Sequence, residues 1–174
     1  MTNEENKNKI KKNDLAAAPA KRVIKLNEGS KKARNSAARL AAVQIWYQVM
    51  VTEQKSAEVL REFIDHRIGF ELDGDVFVPA EQGLLTNTID CMRENRSEIE
   101  EMVSATLGQG KHDDVEPLLK AIMLMGVCEI MSYSDIDIGI IIADYLKVAN
   151  AFYDKGEVKL VNAVLDKLAK TLRN

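Results

Sequence analysis

Proline and glycine are scarce, 3 and 9 in 174 residues. So few breakers leave little room for the many tight turns of a sandwich or barrel, and point to long helices. There are only two cysteines, Cys91 and Cys128, 37 positions apart. One pair is too few for a disulfide framework, and the spacing fits no metal motif. The compartment expected from this usage is a reducing cytoplasm. No apolar run approaches the roughly 18–20 residues of a membrane span. The Lys- and Asn-rich N-terminus lacks the apolar centre of a secretory signal. The two histidines, His66 and His112, have no partner at the i+3 or i+4 spacing of a metal site. There is no P-loop, no GxGxxG after a strand and no GxSxG elbow. Both cysteines fall on apolar helix faces and are expected to be small core hydrophobes. No catalytic residue, metal or cofactor is expected.

What is present is 46% apolar and 29% charged, ordinary values for a globular protein long enough to bury a sizeable core. The net charge of −3 hides an asymmetry. Residues 1–34 hold ten Lys/Arg against four Asp/Glu, and the remainder hold fourteen against twenty-three. A basic segment thus precedes an acidic body. Residues 1–30 have no hydrophobic period and are expected to form a disordered basic arm, either a solvating tail or a phosphate-neutralising one.

From Lys31 a helical period begins. Ala38, Ala41, Ala42, Ile45 and Val49 mark its apolar face, widened by Leu40, Val43, Trp46, Tyr47 and Met50. Ser56 is placed to cap a second helix carrying Val59, Leu60, Phe63 and Ile64. Residues 69–79, with Asp-Gly-Asp inside, read as a loop. A third helix carries Leu84, Leu85, Thr88, Ile89 and Met92, and breaks near Asn95-Arg96. Ser97 and Glu100 form a capping-box pattern for the fourth, which Gly108 and Gly110 end. Asp114 is a candidate cap for the fifth, apolar on most sides and expected to be the most buried. Asp135-Ile136-Asp137 opens the sixth, running through Phe152, with Lys155-Gly156 as its stop. The seventh runs from about Glu157 to Leu172 on Leu160, Val161, Val164, Leu165 and Leu168. About seven helices and no convincing strand give an all-α fold over 31–174.

The start of the first helix carries Lys31, Lys32, Arg34 and Arg39, with Tyr47 eight residues beyond Arg39 and about 80° around the helix from it. Cations followed by an aromatic suit single-stranded RNA, the cations meeting phosphates and the ring stacking on a base. On its residues alone Tyr47 reads rather as a core tyrosine with its hydroxyl at the rim, since buried aromatics are common. Asn162, between Val161 and Ala163, reads as a buried polar group bonded to a neighbouring helix end.

The stretch Ala38-Arg39-Leu40-Ala41-Ala42-Val43-Gln44-Ile45-Trp46-Tyr47 resembles the first helix of the NusB family of bacterial transcription antitermination factors. So does the stretch Lys159-Leu160-Val161-Asn162-Ala163-Val164-Leu165-Asp166-Lys167-Leu168-Ala169, which ends in Leu172-Arg173. Ser134-Asp135-Ile136 and Ala149-Asn150-Ala151-Phe152 occur in the expected order, and the likeness, over roughly 33–173, is strongest to alphaproteobacterial versions. The resemblance implies two three-helix bundles packed crosswise. It implies binding to the boxA sequence of nascent ribosomal RNA together with NusE, a small-subunit ribosomal protein, within the RNA polymerase antitermination complex. It also implies a monomer or a homodimer. Carried over, the RNA-binding residues are Lys31, Lys32, Arg34, Arg39, Tyr47 and Lys159, with Tyr47 now read as a stacking residue. The chain departs from the family pattern in the central helix, where Leu124 replaces an Arg and Cys128 a Tyr, and at Leu160, where a Phe or Met is common.

Two other classes compete. One is a helical protein-interaction module without RNA. The other is an accessory domain like the NusB-like N-terminal part of some ribosomal RNA methyltransferases, which would need a further domain for S-adenosylmethionine.

Overall fold

The computed structural model describes residues 29–67, 71–72, 75–76, 78–108 and 114–173. The expected arm, apart from Gly29 and Ser30, and also His112 lie outside the described residues. Among the described residues seven helices follow in order: α1 Lys31–Thr52, α2 Ser56–His66, α3 Gln82–Glu94, α4 Arg96–Leu107, α5 Pro117–Ser132, α6 Ile138–Phe152 and α7 Lys155–Leu172. The fold is all-α, as the sparse breakers and helical periods require. Between α2 and α3 the expected loop contains one small element. Strand β1 Glu71–Leu72 pairs antiparallel with β2 Asp75–Val76, Glu71 facing Val76 and Leu72 facing Asp75.

Helices α1, α2 and α3 pack on one another, and α5, α6 and α7 do the same. The two bundles share a wall. Helix α5 lies against α1 and α3 on one side and α6 and α7 on the other, while α4 packs on α5 and α7. All ten residues at 121–130 are buried, so the expectation of a most-buried helix holds. Close approach of α7 to α5 depends on Gly126, where an added Cβ would fall 2.8 Å from Leu165 Cδ2. At the far end of α5, Arg173 donates from Nε to Ile130 O (2.9 Å), from Nη1 to Ile136 O (2.6 Å) and from Nη2 to Tyr133 O. A cation thus satisfies carbonyls that the end of a helix leaves without partners.

The ends of the helices follow caps, with several shifts from expectation. Ser30 Oγ accepts from Ala33 N at 3.1 Å and starts α1. Asp137 Oδ1 accepts from Ile140 N at 3.3 Å and starts α6 as read from sequence. Ser56 is the first residue of α2 rather than its cap, and α5 starts after Glu116, not Asp114. The capping box at Ser97 and Glu100 does not form. Asn95 both ends α3 and precedes α4, so Ser97 is already inside the helix, and Glu100 pairs instead with Arg96 Nε at 3.0 Å. Lys155-Gly156 opens α7 instead of stopping α6. Asn162 is exposed, a correction with a simple reason: adjacent helix positions differ by about 100°, and Val161, not Asn162, is on the buried stripe with Val164, Leu165 and Leu168.

Candidate nucleic-acid interface

Helix α1 sorts its residues by angle. Trp46 is 2% exposed and belongs to the core, while Tyr47, one position on, is 39% exposed. Leu40, Gln44, Tyr47 and Val51 recur at spacings of four, three and four and form the outward stripe of the helix. The competition between core and surface for the two adjacent aromatics is settled by the 100° step.

Arg39 takes a different position from the one expected. It is 2% exposed and enclosed between α5 and α6. Its Nε donates to Glu129 Oε1 and Oε2 at 3.0 and 2.9 Å, its Nη2 to Oε1 at 2.6 Å, and its Nη1 to Asp144 Oδ2 at 2.6 Å. Asp144 also accepts from Ser36 Oγ and Lys147 Nζ, each at 2.7 Å. Burial works to raise the Asp144 pKa, but the hydrogen bonds from Lys147, Ser36 and Arg39, with the Arg39 charge, bring it below the usual value. Burial likewise works against the Arg39 cation, and the two carboxylates more than offset it, so its pKa is raised. A guanidinium spent on two carboxylates and shut from solvent cannot meet a phosphate. Arg39 is a packing residue that fixes α1 against α5 and α6. The sequence did carry a signal for this. Arg39 precedes Trp46 by seven residues and so shares the buried face, flanked by Ala38 and Ala42.

Arg34 is also committed locally. Its Nη1 donates to Gly29 O at 2.8 Å, its Nε lies 3.6 Å from Glu81 Oε2, and the side chain is 16% exposed. The backbone adds Glu81 N to Arg34 O at 3.0 Å, so this arginine ties the start of α1 to the start of α3. Lys31 and Lys32 are exposed in the first turn of α1. That turn has no acidic residue, and cations at the positive end of a helix dipole cost stability, about 0.3–1 kcal/mol each. They also build an anion-attracting corner. Lys159 is exposed near the start of α7, beside Leu160 at 37% exposure.

These residues are not all neighbours. Lys32 and Tyr47 are fifteen positions apart on one helix, about 22 Å along its axis and about 60° around it, and Lys31 is about 160° around from Tyr47. Tyr47 lies instead close enough to Tyr153, at the end of α6, to influence its phenol electrostatically. That phenol is pushed up to about 12, first by burial and then by its contacts with Glu116. Beside it Asn150, Phe152, Tyr153, Asp154 and Glu157 line an open cleft of about 420 Å³ between α6 and α7. Phe152, placed on an apolar stripe by its spacing, is 55% exposed here, and Leu160 is likewise outside the core. Sequence reasoning missed this cleft because its residues come from a helix end and a turn, which have no period to read. Elsewhere, no helix among the described residues is long and apolar enough to cross a membrane. No group of three or more His, Cys, Asp or Glu among them could hold a metal ion.

Comparison with known proteins gives these features a family. The model of the NusB family matches residues 36–170. A transcription antitermination protein NusB from Rhizobium leguminosarum bv. trifolii is 35% identical over 145 residues, covering 80% of this chain and 88% of that protein. The transcription antitermination protein NusB from Agrobacterium fabrum is 36% identical over 141 residues, covering 80% and 86%. Among solved structures, T. maritima NusB superposes with a TM-score of 0.67 at 19% identity, covering 80% of this chain and 93% of that one. The solution structure of NusB from Aquifex aeolicus gives 0.60 at 18%, covering 79% and 88%. The two structures establish the helical fold, and the family match and the relatives above 30% identity carry the assignment further: this chain belongs to the NusB family.

Proposed function

We propose that this chain is a non-catalytic transcription antitermination factor of the cytoplasm. In this reading it binds single-stranded boxA RNA of nascent ribosomal transcripts together with NusE and helps RNA polymerase pass terminators. The observation that carries the reading is Tyr47, an exposed aromatic on a helix whose first turn presents Lys31 and Lys32 without compensating acids. Stacking on such a ring tolerates any base, and cations along the backbone path supply the attraction that an acidic body lacks. In this reading Lys31 and Lys32 meet phosphates at the start of α1, while Tyr47 on α1 and Lys159 on α7 engage RNA separately. Arg34 and Arg39 support that surface from behind.

The domain reading that goes with this is an arm over 1–30, adding basic charge, and an RNA-binding body over 31–174. The name transcription antitermination protein, borne by relatives matched over four-fifths of the chain, supports the role. The test is a fluorescence titration of labelled boxA RNA and of a scrambled RNA of equal length, with and without NusE. Preference for boxA that strengthens with NusE is expected. Equal binding of both RNAs in both conditions would remove the proposal and favour a protein-interaction module, whose surface would draw on Ile140 and Val51, exposed at 54% and 55%.

A further inference from the structure

The two cysteines, distant in sequence, meet where α3 packs on α5. Cys91 Sγ lies 3.7 Å from the carbonyl oxygen of Cys128, to which its thiol donates, and the two thiols are close enough to perturb each other's protonation. Asn95 Nδ2 approaches Cys91 Sγ at 3.8 Å, and Cys128 Sγ rests 3.4 Å from Met92 Sδ. Their surroundings differ. Cys128 is fully buried, whereas Cys91 is half-buried and opens on a cleft of about 450 Å³ whose walls include Asn87, Asp90, Glu94, Ser132 and Tyr133. The two carboxylates at its mouth are offset by Arg93, which lies 2.9 Å from Asp90 Oδ1 and 3.5 Å from Glu94 Oε1. An inert core cysteine has no such opening and no second thiol beneath it.

We propose that Cys91 and Cys128 are an oxidisable thiol pair, in which Cys91 is attacked by a hydroperoxide entering the cleft and Cys128 resolves the product into a disulfide joining α3 to α5. The protonation states suit the roles. The Cys91 thiol is pushed down to about 6, chiefly by its side-chain interaction with Cys128, with Ser132 and Asn95 helping against burial and the Glu94 charge. Burial first, and then Cys91, raise the Cys128 thiol well above its usual value. The half-buried Cys91, which lines the cleft, is thus the sulfur an incoming hydroperoxide meets, and the enclosed Cys128 is the one left to resolve the product.

In the first step the Cys91 thiolate attacks an oxygen of the hydroperoxide. An S–O bond forms, the O–O bond breaks, and the departing alkoxide or hydroxide takes a proton from water. Cys91 is then a sulfenic acid. In the second step the Cys128 sulfur attacks the Cys91 sulfur. The S–S bond forms, the S–O bond breaks, and the hydroxide leaves as water with the proton of the Cys128 thiol. Two thiols lose two electrons in all, and the hydroperoxide becomes an alcohol, or water when it is hydrogen peroxide, plus a further water.

The test treats the reduced full-length protein with hydrogen peroxide, then counts free thiols after denaturation and maps peptides without reductant. The expected result is loss of both thiols per peroxide consumed, with a peptide linking Cys91 to Cys128 and no covalent dimer. Cys128→Ala should stop at a Cys91 sulfenic acid that dimedone captures, and Cys91→Ser should leave Cys128 reduced. Should either variant fold poorly by circular dichroism, dimedone present during wild-type oxidation gives the same information, and the adduct should form on Cys91 alone. Retention of both thiols, a first adduct on Cys128, or linkage only between molecules would overturn the proposal.

Discussion

Replacing Arg39 by Ala removes the cation held between Glu129 and Asp144 and leaves two carboxylates, 0% and 5% exposed, without it. Four donor–acceptor contacts of 2.6–3.0 Å disappear at once. Breaking a buried ion pair from one side costs about 3–5 kcal/mol, because the surviving charge stays desolvated. Against a total stability of about 5–15 kcal/mol, that is a large share. At about 2–4 °C per kcal/mol for a chain of this size, the thermal midpoint should fall by about 6–20 °C. Lysine should not rescue the site, since one ammonium cannot reproduce a fork that grips Glu129 and reaches Asp144 together. The loss should also depend on pH. In the native protein Asp144 is depressed, so its stabilising contribution is present above the unfolded pKa and fades as pH falls through the folded one. In Arg39→Ala the Arg39 contribution is gone while Lys147 and Ser36 still donate to Asp144, so its pKa rises toward the unfolded value and the gap to the wild type should narrow as pH falls through the carboxylate range. Urea denaturation across that range measures this, with RNA binding assayed on the folded fraction. A stability change below about 1 kcal/mol, accompanied by lost RNA affinity, would refute the packing role and return Arg39 to the RNA surface.

Four further outcomes are expected. Replacing Lys31, Lys32 and Lys159 together by Ala should weaken boxA binding and reduce the salt slope by about 0.7 for each lost phosphate contact, read by titration across salt concentrations. Tyr47→Ala should cost about 1–3 kcal/mol in RNA binding, Tyr47→Phe should retain most of the affinity, and chemical denaturation should find both variants near wild-type stability. Gly126→Ala should destabilise by about 1–3 kcal/mol in urea, because its methyl would fall 2.8 Å from Leu165 Cδ2, and Leu165 is itself enclosed. The rate of Cys91 alkylation by iodoacetamide should rise with pH through a midpoint of about 6, as the thiolate populates, in place of the roughly 8.5 of an unperturbed thiol.

Elements with a strong period were legible and elements without one were not. The apolar residues of α5, and the Gly126 among them, mark a buried helix in any arrangement. The opposite fates of Trp46 and Tyr47 follow from one 100° step, although choosing which faces out required the resemblance. Arg39 was misread because its charge was weighed above the buried face it shares with Trp46, while its partners, 90 and 105 positions away, could not be seen in the sequence. Lys31 and Lys32 could be placed on a helix start, but that Arg34 folds back on Gly29 and Glu81 is a property of the α1–α3 contact. The Cys91–Cys128 meeting was invisible for the same reason: a spacing of 37 means nothing until two helices cross.

The shared position of α5 has a consequence for how such a protein can vary. An apolar position with neighbours on every side leaves no surface on which a ligand could select for its side chain, so it answers to volume and shape. The position of Leu124, fully buried, is of this kind. Leu124 and Cys128 stand where the resemblance expects an arginine and a tyrosine, and Met92 Sδ lies 3.4 Å from the Cys128 sulfur. Drift in this interior wall is then paired drift: a change on α5 invites a matching change on α3 or α7. The outward stripe of α1, exposed at Leu40, Tyr47 and Val51, answers to no partner helix and is free of that constraint.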